Sequence, residues 1–148
     1  MKESDLKEVS LLHMECFNEA PYFSKLSLES AFENLKSKYD AASKGFCLVK
    51  KDNEKVVAYL LVTKHVSKDN KIEFYIGPLG VKKEYRGSKL GVDLMKEAMS
   101  KLKGEKADLI FLRIDIKAPY LLEYYSRLGF KRYGEVNGKV YMRLNAIK

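Results

Sequence analysis

The segment Tyr85-Arg86-Gly87-Ser88-Lys89-Leu90-Gly91 lies between a strand-like run and an amphipathic helical stripe. Gly87 and Gly91 put small residues where the chain leaves a strand and enters a helix. At such a junction several backbone N–H groups have no partner inside the helix, and they carry the positive end of its dipole. An anion fits there. Arg86 and Lys89 add side-chain charge to the same spot, and Lys82 and Lys83 stand close by in sequence. The chemistry on offer is a seat for a phosphorylated ligand. A solvated basic turn is the plain alternative, since surface turns also collect Gly, Ser and Lys.

The strand ahead of this seat changes its inward face. Ile72, Phe74 and Ile76 are apolar at even positions, whereas after Gly77-Pro78 the apolar positions are odd, at Leu79 and Val81. A strand has period two, so the switch predicts a bulge at Gly77-Pro78 or Leu79. Proline is tolerated where ladder pairing lapses, and a bulge leaves backbone groups free to bond something else. The competing expectation is a strand that ends at Gly77.

The elements that must hold these pieces follow from periodicity. Ser4 and Asp5 are candidate caps for a helix with the stripe Leu6, Val9, His13, Cys16 and Phe17. Residues 18–27 read as a loop carrying Pro21, Tyr22 and Phe23, and Ser27 caps a second helix with the stripe Leu28, Ala31, Phe32, Leu35 and Tyr39. Gly45 opens a strand over 46–50, and Asp52-Asn53 makes a turn. The run 56–63 is almost wholly apolar, as expected for a central strand covered on both faces. Leu90, Leu94, Met95, Ala98, Met99 and Leu102 form the stripe of the helix that follows the glycines, which ends near Gly104. A buried strand over 109–114 precedes a helix with Pro119 in its first turn, the apolar face Leu121, Leu122, Tyr125 and Leu128, and Gly129 as C-cap. Two last strands flank Asn137-Gly138, a strong hairpin signal. The order ααβββαβαββ predicts an α/β (α+β) fold with a mixed central sheet and helices on both faces. The anion seat then follows the carboxyl end of a strand, where open α/β sheets bind ligands.

The chain has 148 residues, the size of one domain, so 1–148 is read as a single unit. That length buries roughly 70% of the unfolded surface, so folding needs no metal or disulfide. Cys16 and Cys47 stand apart from each other and from both His13 and His65, which argues for small buried thiols in a reducing compartment and against a metal site. No apolar run approaches a membrane span and the first residues are polar, so the expectation is a cytoplasmic protein. The net charge is +8, but 28 basic residues are interleaved with 20 acidic ones. Nucleic-acid binding is therefore disfavoured: there is no basic block and no basic-aromatic signature.

Two segments resemble the GNAT superfamily of N-acetyltransferases. Residues 79–95, Leu79-Gly80-Val81 through Leu94-Met95, are similar to its acyl-CoA motif, a strand followed by Arg/Gln-x-x-Gly-x-Gly/Ala at the opening of a helix. Tyr124-Tyr125-Ser126-Arg127-Leu128-Gly129-Phe130 is similar to its YxxLGF segment, and the element order fits over nearly the whole chain. The resemblance implies acetyl-CoA as co-substrate, without metal, and direct attack of an amine on the thioester. It assigns Leu79, Gly80 and Val81 to the pantetheine arm, and Arg86, Gly87, Ser88, Lys89, Leu90 and Gly91 to the pyrophosphate. The Val81 N–H becomes an oxyanion donor and Tyr125 the acid beside the leaving thiolate, with a core tyrosine as the alternative. Glu73, which shares a strand face with Tyr75, is a candidate base acting directly or through water, or an ordinary half-exposed glutamate.

By the same analogy the acceptor pocket uses the 18–27 loop and the hairpin at Asn137-Gly138. Tyr22 and Phe23 would give an apolar wall, and Glu19 and Glu135 would attract a cationic amine. The acceptor is an amine of a small molecule or of a protein, and a homodimer is compatible with the reading. Three departures stand out. Lys89 occupies the motif's first glycine and is accommodated there if its dihedrals are helical. The family's first edge strand has almost no sequence to form it ahead of Glu3. An asparagine often found near Ala118 is absent. A catalytically weak acyl-CoA-binding module and a basic nucleic-acid-binding protein are the competing readings.

Overall fold

The computed structural model describes residues 1–19, 21–41 and 46–144. Helix α1 (Leu6–Asn18) buries Leu6, Val9, Leu12 and Cys16 at helical spacing. A short 3-10 turn over Glu3–Asp5 precedes it. Asp5 does not cap the helix with its side chain. Its carboxylate accepts the Lys2 amide at 2.8 Å and pairs with Lys51 at 2.8 Å. Helix α2 (Leu28–Ala41) is capped as expected, with Ser27 Oγ accepting the Ser30 amide at 3.1 Å. The loop between the helices is clasped by Asn18, whose amide donates to the Leu26 carbonyl at 2.9 Å and accepts from its N–H at 2.6 Å.

The strands are β1 (Leu48–Asp52), β2 (Lys55–Val66), β3 (Ile72–Val81), β4 (Leu109–Asp115), β5 (Phe130–Val136) and β6 (Lys139–Leu144). Helix α3 (Leu90–Leu102) links β3 to β4, and α4 (Tyr120–Arg127) links β4 to β5. They form one sheet in the order β1-β2-β3-β4-β6-β5, in which only β3 and β4 run parallel. Strand β1 starts two residues later than the sequence reading placed it, and the proposed opening at Gly45 lies outside the described residues. The turn after it uses Asn53 and Glu54, both at positive φ, in place of Asp52-Asn53. Pro119 is the residue just ahead of α4, one position before the helix proper. The final hairpin turns on Asn137 and Gly138, at φ 49° and 76°. Among the described residues no strand precedes α1, and β1 is the sheet edge. The Met1 ammonium donates to the Cys47 carbonyl beside it at 3.0 Å. No described helix is long and apolar enough to cross a membrane.

Strand β2 is buried on both faces from Val56 to Val62. Ala58, Leu60 and Val62 join Leu94, Met95, Ala98, Leu112 and Phe130 in the core beneath α3 and α4. Tyr59 and Leu61 join Leu6, Val9, Leu12 and Leu35 in a second core beneath α1 and α2. The pairing of β1 with β2 slips by one residue at Val57, which puts Val56 in the second core despite its even number.

The parity switch in β3 has the predicted cause. Leu60 pairs with Leu79 and Val62 with Ile76, so Leu61 faces both Gly77 and Pro78. The strand continues through the bulge to Val81, and Ile72, Phe74, Ile76, Leu79 and Val81 all contribute to the same core. Both faces of the sheet carry helices, as the element order required.

One packing contact fixes the end of β3. A Cβ on Gly80 would fall 2.4 Å from Cε1 of the fully buried Tyr59 ring. The Tyr59 hydroxyl is itself fixed at 2.5 Å from His13 Nδ1. Burial, helped by the Lys38 charge, pushes the His13 pKa from 6.5 down to about 4, so the native imidazole is neutral at pH 7.

Two measurements follow from this stack. Gly80→Ala should lower stability by about 1–3 kcal/mol in urea or thermal unfolding through overpacking against Tyr59. The unfolded chain protonates His13 before the folded one does, so stability is full above pH 6.5 and falls as pH drops from 6.5 toward 4. The shift corresponds to roughly 3 kcal/mol over that window. His13→Gln should flatten this slope; an unchanged slope would show that His13 is not its source.

Candidate active site

Strands β3 and β4 pair over only three rungs, Glu73–Leu109, Phe74–Ile110 and Tyr75–Phe111. Beyond Tyr75 the two strands separate, and the remainder of β3 presents an edge without a strand partner on that side. The orientation of its backbone can be read from its bonds. Lys82 donates its N–H to the Val57 carbonyl at 2.8 Å, while the Val81 carbonyl accepts from Arg86 Nε at 3.0 Å and from Cys16 Sγ at 3.5 Å. Residues of an antiparallel strand alternate between bonding their partner with both groups and with neither. Val81 and Leu79 therefore turn their N–H and C=O groups away from β2, toward the opening, and Gly80 turns its own toward Tyr59.

The turn after β3 is shaped by a 3-10 segment over Lys83–Tyr85. The Arg86 amide bonds the Lys83 carbonyl and the Ser88 amide bonds the Tyr85 carbonyl, each at 3.3 Å. The Ser88 hydroxyl also donates to the Tyr85 carbonyl, and the Tyr85 phenol donates to Asp52. The first helical bond of α3 runs from the Asp93 amide to the Lys89 carbonyl. The amides of Leu90, Gly91 and Val92 precede that bond and have no intrahelical acceptor. Lys89 adopts φ 70° and ψ 8°, left-handed, so the expectation of helical dihedrals is corrected. A lysine occupies a conformation that glycine adopts without cost, and that costs an L-residue about 1–2 kcal/mol.

These parts enclose a groove of about 520 Å³. Of the residues assigned to a cofactor from the sequence, Leu79, Gly80, Val81, Arg86, Gly87, Lys89, Leu90 and Gly91 line it; Ser88 does not. The Arg86 side chain also forms an ion pair with Glu19 at 2.5 Å, at the rim of the same groove, that straps the end of α1 to the end of β3. Gly91 brings α3 against Leu79, Val81 and the Tyr124 hydroxyl, and Tyr124 is part of the wall. Tyr120, Val92 and Cys16 also line the groove and had no signal in the sequence beyond their nearness to the motifs.

A second cavity, of about 270 Å³, lies beyond the β3 bulge. Phe17, Tyr22, Leu79, Leu121 and Tyr125 line both spaces, so they form the partition between them. Tyr125 is 9% exposed, and burial first, then neighbouring tyrosines, raises its pKa well above that of a free phenol. Tyr22 is pushed up to about 12 by burial and by Tyr120 and Asp115. Both phenols are protonated at neutral pH and can donate.

The second cavity also holds His13, Lys38, Tyr75, Arg113, Asp115 and Lys139. Glu73 shares the strand face of Tyr75 but lines neither space. Glu19 is taken up by Arg86, and Glu135 pairs with Arg132 at 3.3 Å outside both spaces. Phe23 is 63% exposed and lines neither. Of the final hairpin, Lys139 reaches the cavity.

Comparison with known proteins adds an independent line. The profile of the acetyltransferase (GNAT) family matches residues 7–130. The chain is similar to N-alpha-acetyltransferase 30 of Schizosaccharomyces pombe, with 28% identity over 88 residues, covering 60% of this chain and 59% of that protein, less than two thirds of its length. A crystal structure from Pyrococcus horikoshii superposes with a TM-score of 0.84 at 22% identity, over 99% of this chain and 93% of that one. A GNAT family acetyltransferase from Brucella melitensis in complex with acetyl-CoA superposes with a TM-score of 0.73 at 21% identity, over 97% and 83% of the two chains. At these identities the two structures establish a shared fold.

Lys89→Gly relieves the left-handed strain while adding freedom to the unfolded chain, for a net gain of up to about 1 kcal/mol. The melting temperature of the ligand-free variant should rise. A fall would mean that the lysine side chain holds the turn through contacts that outweigh its backbone cost.

Proposed function

Because the chain belongs to the GNAT acetyltransferase family, we propose that it moves an acetyl group from acetyl-CoA to an amine by direct attack within one ternary site. The observation that carries this reading is the sheet opening: an unpaired strand edge and three free helix-start amides face one groove, and a phenol stands between that groove and a second cavity. The parts suit the co-substrate. A pantetheine arm carries amides that can pair with a strand edge, and a diphosphate needs N–H donors at a helix start.

Acetyl-CoA supplies an activated thioester. The N–H and C=O of Leu79 would hold the pantetheine, the amides of Leu90, Gly91 and Val92 the diphosphate, and the Lys89 ammonium adds positive charge at the same turn. The Val81 N–H stabilises the carbonyl oxygen as it gains charge. The acceptor nitrogen, arriving through the second cavity, forms its bond to the carbonyl carbon as the carbon–sulfur bond breaks. Tyr125 gives its proton to the departing sulfur and recovers one from solvent, while the nitrogen releases a proton to water. Glu73 lies off the cavity wall and would take that proton only through intervening water.

A thermal-shift titration tests the binding half of the reading. Saturating acetyl-CoA at 100 times its Kd should add about 2.7 kcal/mol of stability. No shift at millimolar acetyl-CoA would remove the reading. For the chemical half, Tyr125→Phe should lower kcat about 100-fold with the KM for acetyl-CoA held within about twofold. Equal kcat values for variant and parent would retire Tyr125 as the acid.

A further inference from the structure

The second cavity contains two cations that share one aromatic ring. Lys38 Nζ stands 5.9 Å from the centroid of the Tyr75 ring, and Arg113 Cζ stands 4.8 Å from it. Among the described residues neither makes an ion pair with a carboxylate. The groups acting on Arg113 are the phenols of Tyr75 and Tyr141, and neither is a carboxylate. Burial, and after it the charge of Arg113, lowers the Lys38 pKa.

The other charged groups of the cavity do not compensate. Asp115 is held by Lys139 at 3.1 Å and by the Lys117 amide at 2.9 Å, and His13 is neutral at pH 7. Two like charges lining one partly dry cavity raise the energy of the empty space, and an anion bound in that cavity lowers it. The Tyr75 ring makes their proximity tolerable, because each cation gains from the ring face.

We propose that Lys38 and Arg113 form a carboxylate subsite, so that the acceptor amine of this protein belongs to a molecule bearing a carboxylate group. This rests on the acetyl-transfer reading above and names its acceptor class. Tyr125 lines the same cavity, which places the anion site and the partition to the groove within one acceptor-sized space. At about 270 Å³ the cavity lies below the roughly 300–1,000 Å³ of sites for drug-sized ligands, so it admits one amino-acid-sized unit. The proposal replaces the expectation that Glu19 and Glu135 attract a cationic amine, since both carboxylates are paired outside the cavity.

Two arms of matched acceptors test it with acetyl-CoA as donor. One sets free amino acids against their α-amides; the other sets peptides that begin with Asp or Glu against the same peptides beginning with Asn or Gln. A charge-assisted contact predicts at least a tenfold advantage in kcat/KM for the acid in one arm. The first arm would assign the α-carboxylate of a free amino acid, the second an acidic first side chain. Lys38→Met and Arg113→Gln should each pull the acid-to-neutral ratio toward one, chiefly through the acceptor KM, with the KM for acetyl-CoA unchanged. The ratio is internal to each variant, so partial loss of folded protein leaves it intact. Equal use of acids and neutral partners in both arms, or an unaltered ratio in both variants, overturns the proposal while leaving acetyl transfer standing. Absence of acetyl-CoA binding overturns both.

Discussion

Everything at the site follows from the short partnership of β3 and β4. Three parallel rungs hold the two halves of the sheet together, and past Tyr75 the strands diverge. A gap in a sheet is ordinarily a cost, because it leaves backbone donors and acceptors without partners. Here the bulge at Gly77-Pro78 turns the apolar side chains of Leu79 and Val81 back into the core while their backbone groups face the opening. The same residues thus seal the hydrophobic interior and supply a polar edge.

That edge is held from behind. Tyr59 lies across Gly80 with no room for a Cβ, and its phenol is fixed by His13 from α1. The core beneath α1 and α2 therefore supports the strand whose free edge belongs to the groove. On the solvent side, Arg86 joins the Val81 carbonyl to Glu19 and so ties the start of the 19–27 loop to the same strand end. Both ties anchor the end of β3 to α1, at His13 and at Glu19.

Much of this was legible in the sequence, and the exceptions have physical causes. The β3 bulge could be read because apolar residues moved from even to odd positions across Gly77-Pro78. The slip at Val57 could not, because a strand buried on both faces has no polar residues to reveal a change of parity. The final hairpin was announced by Asn137-Gly138, whose residues take positive φ with little strain. At Lys89 the sequence showed a departure from the expected glycine, but only the backbone showed that the turn kept glycine's conformation. The pairing of Lys38 with Arg113 over Tyr75 draws on three elements far apart in the chain, and no local pattern encodes it. Arg86 looked like a phosphate ligand by position, and its tie to Glu19 was equally invisible for the same reason.

The partition formed around Tyr125 has a kinetic consequence on the proposed reading. If the donor occupies the groove and the acceptor the second cavity, both reach the phenol at once, so neither must leave before the other arrives. No residue of the wall has to carry the acyl group between visits. Double-reciprocal plots for such a protein intersect.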